Sequence, residues 1–222
     1  MNIVIGLAGV KTSGKSTVAN IIKNLVQDNI KEAALADKLK NTCSEVFNVP
    51  RAYFDDQNLK ERPLLKDRLL DLTAIEKILI SFNIEPTNEL VYSYITKGID
   101  GTLLETPRQI AQIVGTEILR VVDEEIHCKN VELNKNGITI ISDIRFPNEY
   151  DFFSKQENNI FLPLYIQRDE AEKMVDENSH SSEKLVFTFS HKCIKINNNN
   201  DLSSLERQVV EILREKGLNL NL

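Results

Sequence analysis

The sequence predicts an α/β protein, a three-layer α/β/α fold with a parallel sheet of about five strands and a helical insertion between strands 2 and 3. Short apolar runs alternate with amphipathic stretches at both ends of the chain, which is the pattern of strands crossed over by helices. A glycine-rich loop joins the first such run to the first amphipathic stretch. Residues 51–120 break the alternation and read as helices only. With 222 residues and 41% hydrophobic content, the chain is long enough for one domain spanning 1–222 that carries 51–120 as an insertion.

The elements follow in order. Asn2-Ile-Val-Ile-Gly-Leu-Ala8 is a buried first strand, and Val18, Ile21, Ile22 and Leu25 recur at helical spacing over a helix predicted at 13–27. A second strand is expected at 32–36 and a helix at 37–47. Within the insertion, 64–82 and 107–122 read as helices and no convincing strand is seen, while 85–88 and 97–101 are turns that would let the segment move. Strands at 138–142, 160–166 and 193–196 and helices at 147–156 and 202–216 complete the alternation. The last helix carries Leu202, Leu205, Val209 and Leu213 as a stripe. The tract Asn197 to Asn200 reads as a polar turn with no function of its own.

Composition bounds the function. No apolar run approaches the roughly 18 residues of a membrane-spanning helix. The apolar start lacks a basic leader and a cleavage site, so it is read as a strand rather than an export signal, and the cytoplasm is the expected location. Three widely spaced cysteines, Cys43, Cys128 and Cys193, predict reduced thiols used in packing. A net charge of −6 disfavours a grip on long nucleic acid and suits a small phosphorylated partner held by local cations.

The loop Gly9-Val-Lys-Thr-Ser-Gly-Lys-Ser16 fits the spacing G-x-x-x-x-G-K-[ST]. Its glycines allow backbone amides to point at an anion, and the helix that follows offers its N-terminus. The reading assigns triphosphate binding to Gly9, Thr12, Ser13, Gly14, Lys15, Ser16 and Thr17. Lys15 reaches the β and γ phosphates, Ser16 places a hydroxyl on Mg²⁺, and Thr17 either faces the α-phosphate or caps the helix.

Asp143, in Ile138-Thr-Ile-Ile-Ser-Asp-Ile-Arg145, ends the third strand where a carboxylate can reach a metal's water shell; the alternative is a cap on the helix near Pro147. Arg145 can meet phosphate oxygens, and Arg168, which ends the fourth strand at the same rim, is also assigned to ATP binding. Thr106 and Pro107 read as N-cap and first residue of a helix, placing Arg108, Gln112 and Thr116 on one polar face, suited to a nucleotide or simply to solvent. Gly115 within that helix signals close packing or close approach of a ligand. His180 is a phosphate or carboxylate contact or a plain helix-start residue, and His127 and His191 are taken as structural or exposed.

Together the phosphate loop, Ala36-Asp-Lys-Leu-Lys40, Lys60-Glu-Arg-Pro63, Pro107-Arg-Gln with Gln112 and Gly115-Thr-Glu117, Ser142-Asp-Ile-Arg-Phe-Pro-Asn-Glu149 and His180-Ser-Ser-Glu183 span nearly the whole chain. In these pieces the chain resembles the phage-type deoxynucleoside monophosphate kinases, within the P-loop nucleoside monophosphate kinase group. The resemblance implies γ-phosphoryl transfer from ATP, with Mg²⁺, to a deoxynucleoside monophosphate. It implies Lys15, Asp143 and Arg145 as catalytic residues, Ser16 and Asp143 at the metal, and Lys11, Asp37, Lys40, Arg108, Gln112 and Thr116 at the acceptor. A related kinase for dephospho-coenzyme A or a ribonucleotide, a slow nucleotide-gated module and a polynucleotide-end kinase stay open, as does a homodimer. The segment after Arg168 is expected to form part of a lid.

Overall fold

The computed structural model describes residues 2–26, 29–177, 179 and 181–220, the side chains of Ser181 and Ser182 excepted. The chain forms two compact units, residues 1–35 with 131–222, and residues 36–130.

The first unit is built on a five-stranded parallel sheet. Its strands, in chain order, are Asn2–Ala8, Ile30–Ala33, Ile138–Ile144, Asn159–Gln167 and Ile194–Asn197. They lie side by side in the order second, third, first, fourth, fifth, so the first strand is central and flanked by the third and fourth. One face buries Ile5, Leu7, Ile140, Leu164 and Ile166 against the helices Lys15–Leu25 and Leu202–Glu215. The other carries an aromatic cluster in which Tyr150 and Phe153, on the helix Pro147–Ser154, meet the Phe161 ring, and Tyr150 also meets Phe189 on the helix Ser181–Phe189. Helices on both faces of a parallel sheet make the three layers, and they explain why the first strand is buried on both sides.

Some boundaries differ from the sequence expectation. The second strand is Ile30–Ala33 rather than 32–36, because Ile30 pairs with Ile138 and the Leu35 amide turns away from the sheet to donate to the Asp143 carboxylate (2.7 Å). Helix 13–27 shortens to Lys15–Leu25, 147–156 to Pro147–Ser154 and 202–216 to Leu202–Glu215. In that last helix Leu205, Val209 and Leu213 are buried but Leu202 is exposed.

The second unit is mainly helical. It contains Asp37–Phe47, Ala52–Asp55, Leu72–Ser81, Asn88–Thr96 and the stretch 107–122 around a core that includes Leu39, Phe47, Ile75, Leu79, Tyr94 and Ile118. The insertion does contain strand: Arg68–Leu70 and Thr102–Leu104 pair antiparallel. Three-residue strands are too short for an alternation to show, and their only repeat is Leu69 and Leu103 facing out while Leu70 and Leu104 face in. The helix expected at 64–82 therefore begins at Leu72, where the Asp71 carboxylate accepts the Ala74 amide (2.8 Å) and stops it from extending backward.

The stretch 107–122 is one helical path in three parts: α-helix Pro107–Gln112, π-helix Ile113–Leu119 and α-helix Arg120–Val122. Thr106 caps it by accepting from the Gln109 amide (3.1 Å), with Pro107 next. Gly115 answers to close packing: a Cβ there would lie 2.9 Å from Leu39 Cδ2. His127, buried rather than solvent-facing, bonds to the Gly115 backbone. Burial, aided by the Arg120 charge and opposed by that bond, pushes its pKa down to about 4. Its Nδ1 has no partner among the described residues. His191 is exposed. Cys43 and Cys128 are buried free thiols and Cys193 is half-buried.

The π-helix is pinned by fully buried Tyr94, whose hydroxyl donates to the Ile118 carbonyl (2.9 Å). Tyr94→Phe leaves that carbonyl buried without this donor and is expected to cost about 1–2 kcal/mol in urea unfolding. A loss within about 0.3 kcal/mol of zero would show that the π-helix does not depend on the bond.

Candidate active site at the phosphate loop

The loop sits at the carboxyl end of the central strand, where ligands of open parallel sheets bind. Three of its residues take left-handed backbone: Gly9 at φ 148°, Thr12 at φ 63° and Gly14 at φ 106°. Gly14 is the N-cap of the helix Lys15–Leu25, and its carbonyl already accepts from the Val18 amide (3.0 Å). No other residue suits it, since its φ is strained for an L side chain and a Cβ would run into the Asn198 carboxamide. Thr17 therefore does not cap this helix; it lies inside the first turn, exposed beside Ser16.

Lys15 folds back over the loop and donates to the carbonyls of Gly9 (2.6 Å) and Val10 (2.7 Å). Its pKa is pushed down to about 8, first by burial and then by the charge of Arg145, with Glu183 and Asp143 working in the opposite direction. The same electrostatics shows what the fold gathers around this ammonium: Arg145 and Asp143 from the third strand's end, and Glu183 from the helix Ser181–Phe189. Ser13 is fully buried, and its Oγ has no partner among the described residues.

Asp143 does not cap the helix after the third strand. The N-cap is Phe146, and the buried Glu149 carboxylate accepts from the amides of Arg145 (2.8 Å) and Phe146 (3.1 Å). Asp143 instead accepts from Leu35, which fixes its carboxylate at the strand end. Arg168, at the end of the fourth strand, extends Nη1 toward the Thr12 carbonyl (3.5 Å) and pairs with Glu170 (3.3 Å). Beside it opens a cavity of about 400 Å³ lined by Thr17, Arg168, Glu170, Asn198, Asn199 and Leu205.

The asparagine tract is thus more than a polar turn. Asn198 Nδ2 donates to the Ser13 carbonyl (2.8 Å), and Asn199 accepts from the Asp169 amide (2.8 Å). Its repeated amides gave no sequence signal of this. Glu183 was visible in the Ser-Ser-Glu string but without a role; its Oε2 accepts from the Lys11 amide (2.6 Å). His180 lies outside the described residues.

Of the residues assigned to an acceptor, Lys11 belongs to the sheet unit and Asp37, Lys40, Arg108, Gln112 and Thr116 to the helical unit. Asp37 and Lys40 join an ion network the sequence did not reveal: Arg51 bonds Asp37 (2.9 Å) and Asp55, and Lys40 bonds Asp55 (3.0 Å). Partial burial raises the Asp55 pKa, but the bonds from Arg51 and Lys40 outweigh it and hold the carboxyl below its usual range. Arg108 pairs with Glu61. Arg108 and Gln112 share an α-helical face, but the wider π turns begin at Ile113, so Thr116 is rotated away from the position expected above Gln112.

No family model matches the chain. Over 225 residues it is 24% identical to a protein of Acanthamoeba polyphaga mimivirus provisionally named a deoxynucleotide monophosphate kinase, and the alignment covers 94% of each chain. No described helix is long and apolar enough to cross a membrane.

Two outcomes follow at the loop. Below about pH 8 Lys15 is already an ammonium; above it the amine is increasingly neutral, and a phosphate ligand favours the charged form. Binding of ADP at about pH 9 should therefore take up a proton, with affinity falling as pH rises. Calorimetry in buffers of different ionisation enthalpy reads this uptake, and Lys15→Met should abolish it. Glu183 sets a negative charge on a loop amide, so Glu183→Gln should tighten ADP binding roughly three- to tenfold at low salt. Unchanged or weaker binding would mean that Glu183 does not compete with phosphate.

Proposed function

We propose that the chain is a deoxynucleoside monophosphate kinase, transferring the γ-phosphoryl of ATP to the 5′-phosphate of a deoxynucleoside monophosphate to give a diphosphate and ADP. The observation that carries this reading is the gathering of Asp143 and Arg145 around Lys15 of the phosphate loop. The likeness to the mimivirus protein along nearly the full chain supports a nucleotide kinase.

Phosphoryl transfer needs positioning and charge compensation rather than covalent chemistry. In this reading Lys15 leaves the carbonyls of Gly9 and Val10 for the β and γ phosphates, while the loop amides hold the bridging and terminal oxygens. Arg145 and Lys11 offset charge on the migrating group and the acceptor. The burial that makes Lys15 easier to deprotonate also strengthens its attraction for phosphate once a polyanion is bound. Arg168 and Thr17 border the cavity in which the donor nucleoside sits.

Among the described residues no group of three or more His, Cys, Asp or Glu could hold a metal ion. The site offers the Ser16 hydroxyl at the end of the loop and the Asp143 carboxylate at the end of the third strand. That set fits Mg²⁺, which keeps water and phosphate oxygens as most of its ligands and would offset charge on the transferring phosphates. Asp37, Lys40, Arg108 and Gln112, in the helical unit, are assigned to the acceptor, and the segment after Arg168 to a lid that excludes water.

Lys15→Ala should lower turnover at least about a hundredfold, the size of losing one preorganised cationic contact. The acceptor is tested by ADP release across a panel of deoxy- and ribonucleoside monophosphates and dephospho-coenzyme A. A deoxynucleotide should give the highest kcat/KM. Preference for a non-nucleotide acceptor would reject the assignment, and equally slow turnover with and without every acceptor would favour a nucleotide-gated module.

A further inference from the structure

A phosphate loop works only if its amides point at the anion, and a peptide unit is rigid. Because the bond is planar and trans, its C=O and N–H point in opposite directions, so whatever holds the carbonyl also aims the amide. The Ser13–Gly14 peptide lies just ahead of the helix, at a glycine with φ 106° and no side-chain cap. Nothing in Gly14 itself restrains that peptide, since glycine tolerates several orientations. The restraint comes from a distant part of the chain: Asn198 Nδ2 donates to the Ser13 carbonyl (2.8 Å).

The Asn198 carboxamide stands on a fixed base. Its own amide donates to the Gln167 carbonyl at the end of the fourth strand (2.8 Å). The preceding residue, Asn197, is gripped twice by Gln208 of the terminal helix, through its amide and its carbonyl (2.9 Å each). The following residue, Asn199, accepts from the Asp169 amide (2.8 Å). The carboxamide also fills the space beside Gly14 that a Cβ would need.

We propose that Asn198 is a positioning residue for phosphate binding: by holding the Ser13 carbonyl outward it keeps the Gly14 N–H aimed into the loop. This rests on the reading of the loop as a triphosphate site. Only a side chain that donates a hydrogen bond can serve. An aspartate at this place has the same shape but sets a carboxylate against a carbonyl oxygen and adds negative charge beside the anion site.

The test compares wild type, Asn198→Ala and Asn198→Asp for binding of Mg²⁺-tripolyphosphate and of ADP by calorimetry, with thermal melting alongside. Asn198→Ala should weaken both ligands by about the same factor, roughly tenfold for one lost orienting hydrogen bond, with the melting temperature moved by less than about 3 °C. Asn198→Asp should weaken both further, by at least about thirtyfold. If ADP weakens while tripolyphosphate does not, Asn198 contacts only the nucleoside and the proposal fails. Wild-type affinity for tripolyphosphate in a folded Asn198→Asp protein also overturns it, including where Asn198→Ala does not fold. A wild-type protein that binds neither ligand would instead overturn the triphosphate reading on which the proposal stands.

Discussion

The site depends on one half-buried ammonium. Lys15 folds back over the phosphate loop, where its charge is met by the backbone carbonyls of Gly9 and Val10. Burial of a charge is costly, and together with the Arg145 charge it lowers the Lys15 pKa, with Glu183 and Asp143 opposing. A lysine held this way is matched to a polyanion, which can replace two carbonyl dipoles with full negative charges. The left-handed turns at Gly9, Thr12 and Gly14 follow from the same need, since they direct the loop's backbone around one centre.

Sheet order then decides which other groups reach that centre. The central strand carries the loop, and its two neighbours carry Asp143 with Arg145 on one side and Arg168 on the other. A parallel sheet puts all of these strand ends at one edge, so residues far apart in sequence meet without any loop having to travel. The carboxylates of Asp143 and Glu183 raise the Lys15 pKa while Arg145 lowers it.

Several charged residues of the helical unit are held in ion pairs. Arg51 ties Asp37 to Asp55, Lys40 joins them, and Arg108 meets Glu61. Such pairs hold long side chains in defined positions. The π-helix between Gln112 and Arg120 turns the face that a regular helix would have kept in line, with Gly115 seated on Leu39 and Tyr94 bonded to Ile118.

The sequence by itself determined the parallel α/β unit, the phosphate loop and the strand end at Asp143, because each is written in contiguous residues: a β-branched run, glycines at fixed spacing, a helical stripe. It also determined the cap at Thr106 and Pro107, which is a local contest for one amide. It did not determine the short ribbon of Arg68–Leu70 and Thr102–Leu104, since a three-residue strand has no period and exists only through its partner. Nor could it separate α from π turns at 113–119, where packing against Leu39 and Tyr94 decides. The groups that hold the phosphate loop from outside were silent for the same reason. Asn198 and Glu183 lie more than 160 residues from the atoms they bind, and a bond across that distance is made by the order of strands in the sheet, which only the tertiary structure supplies.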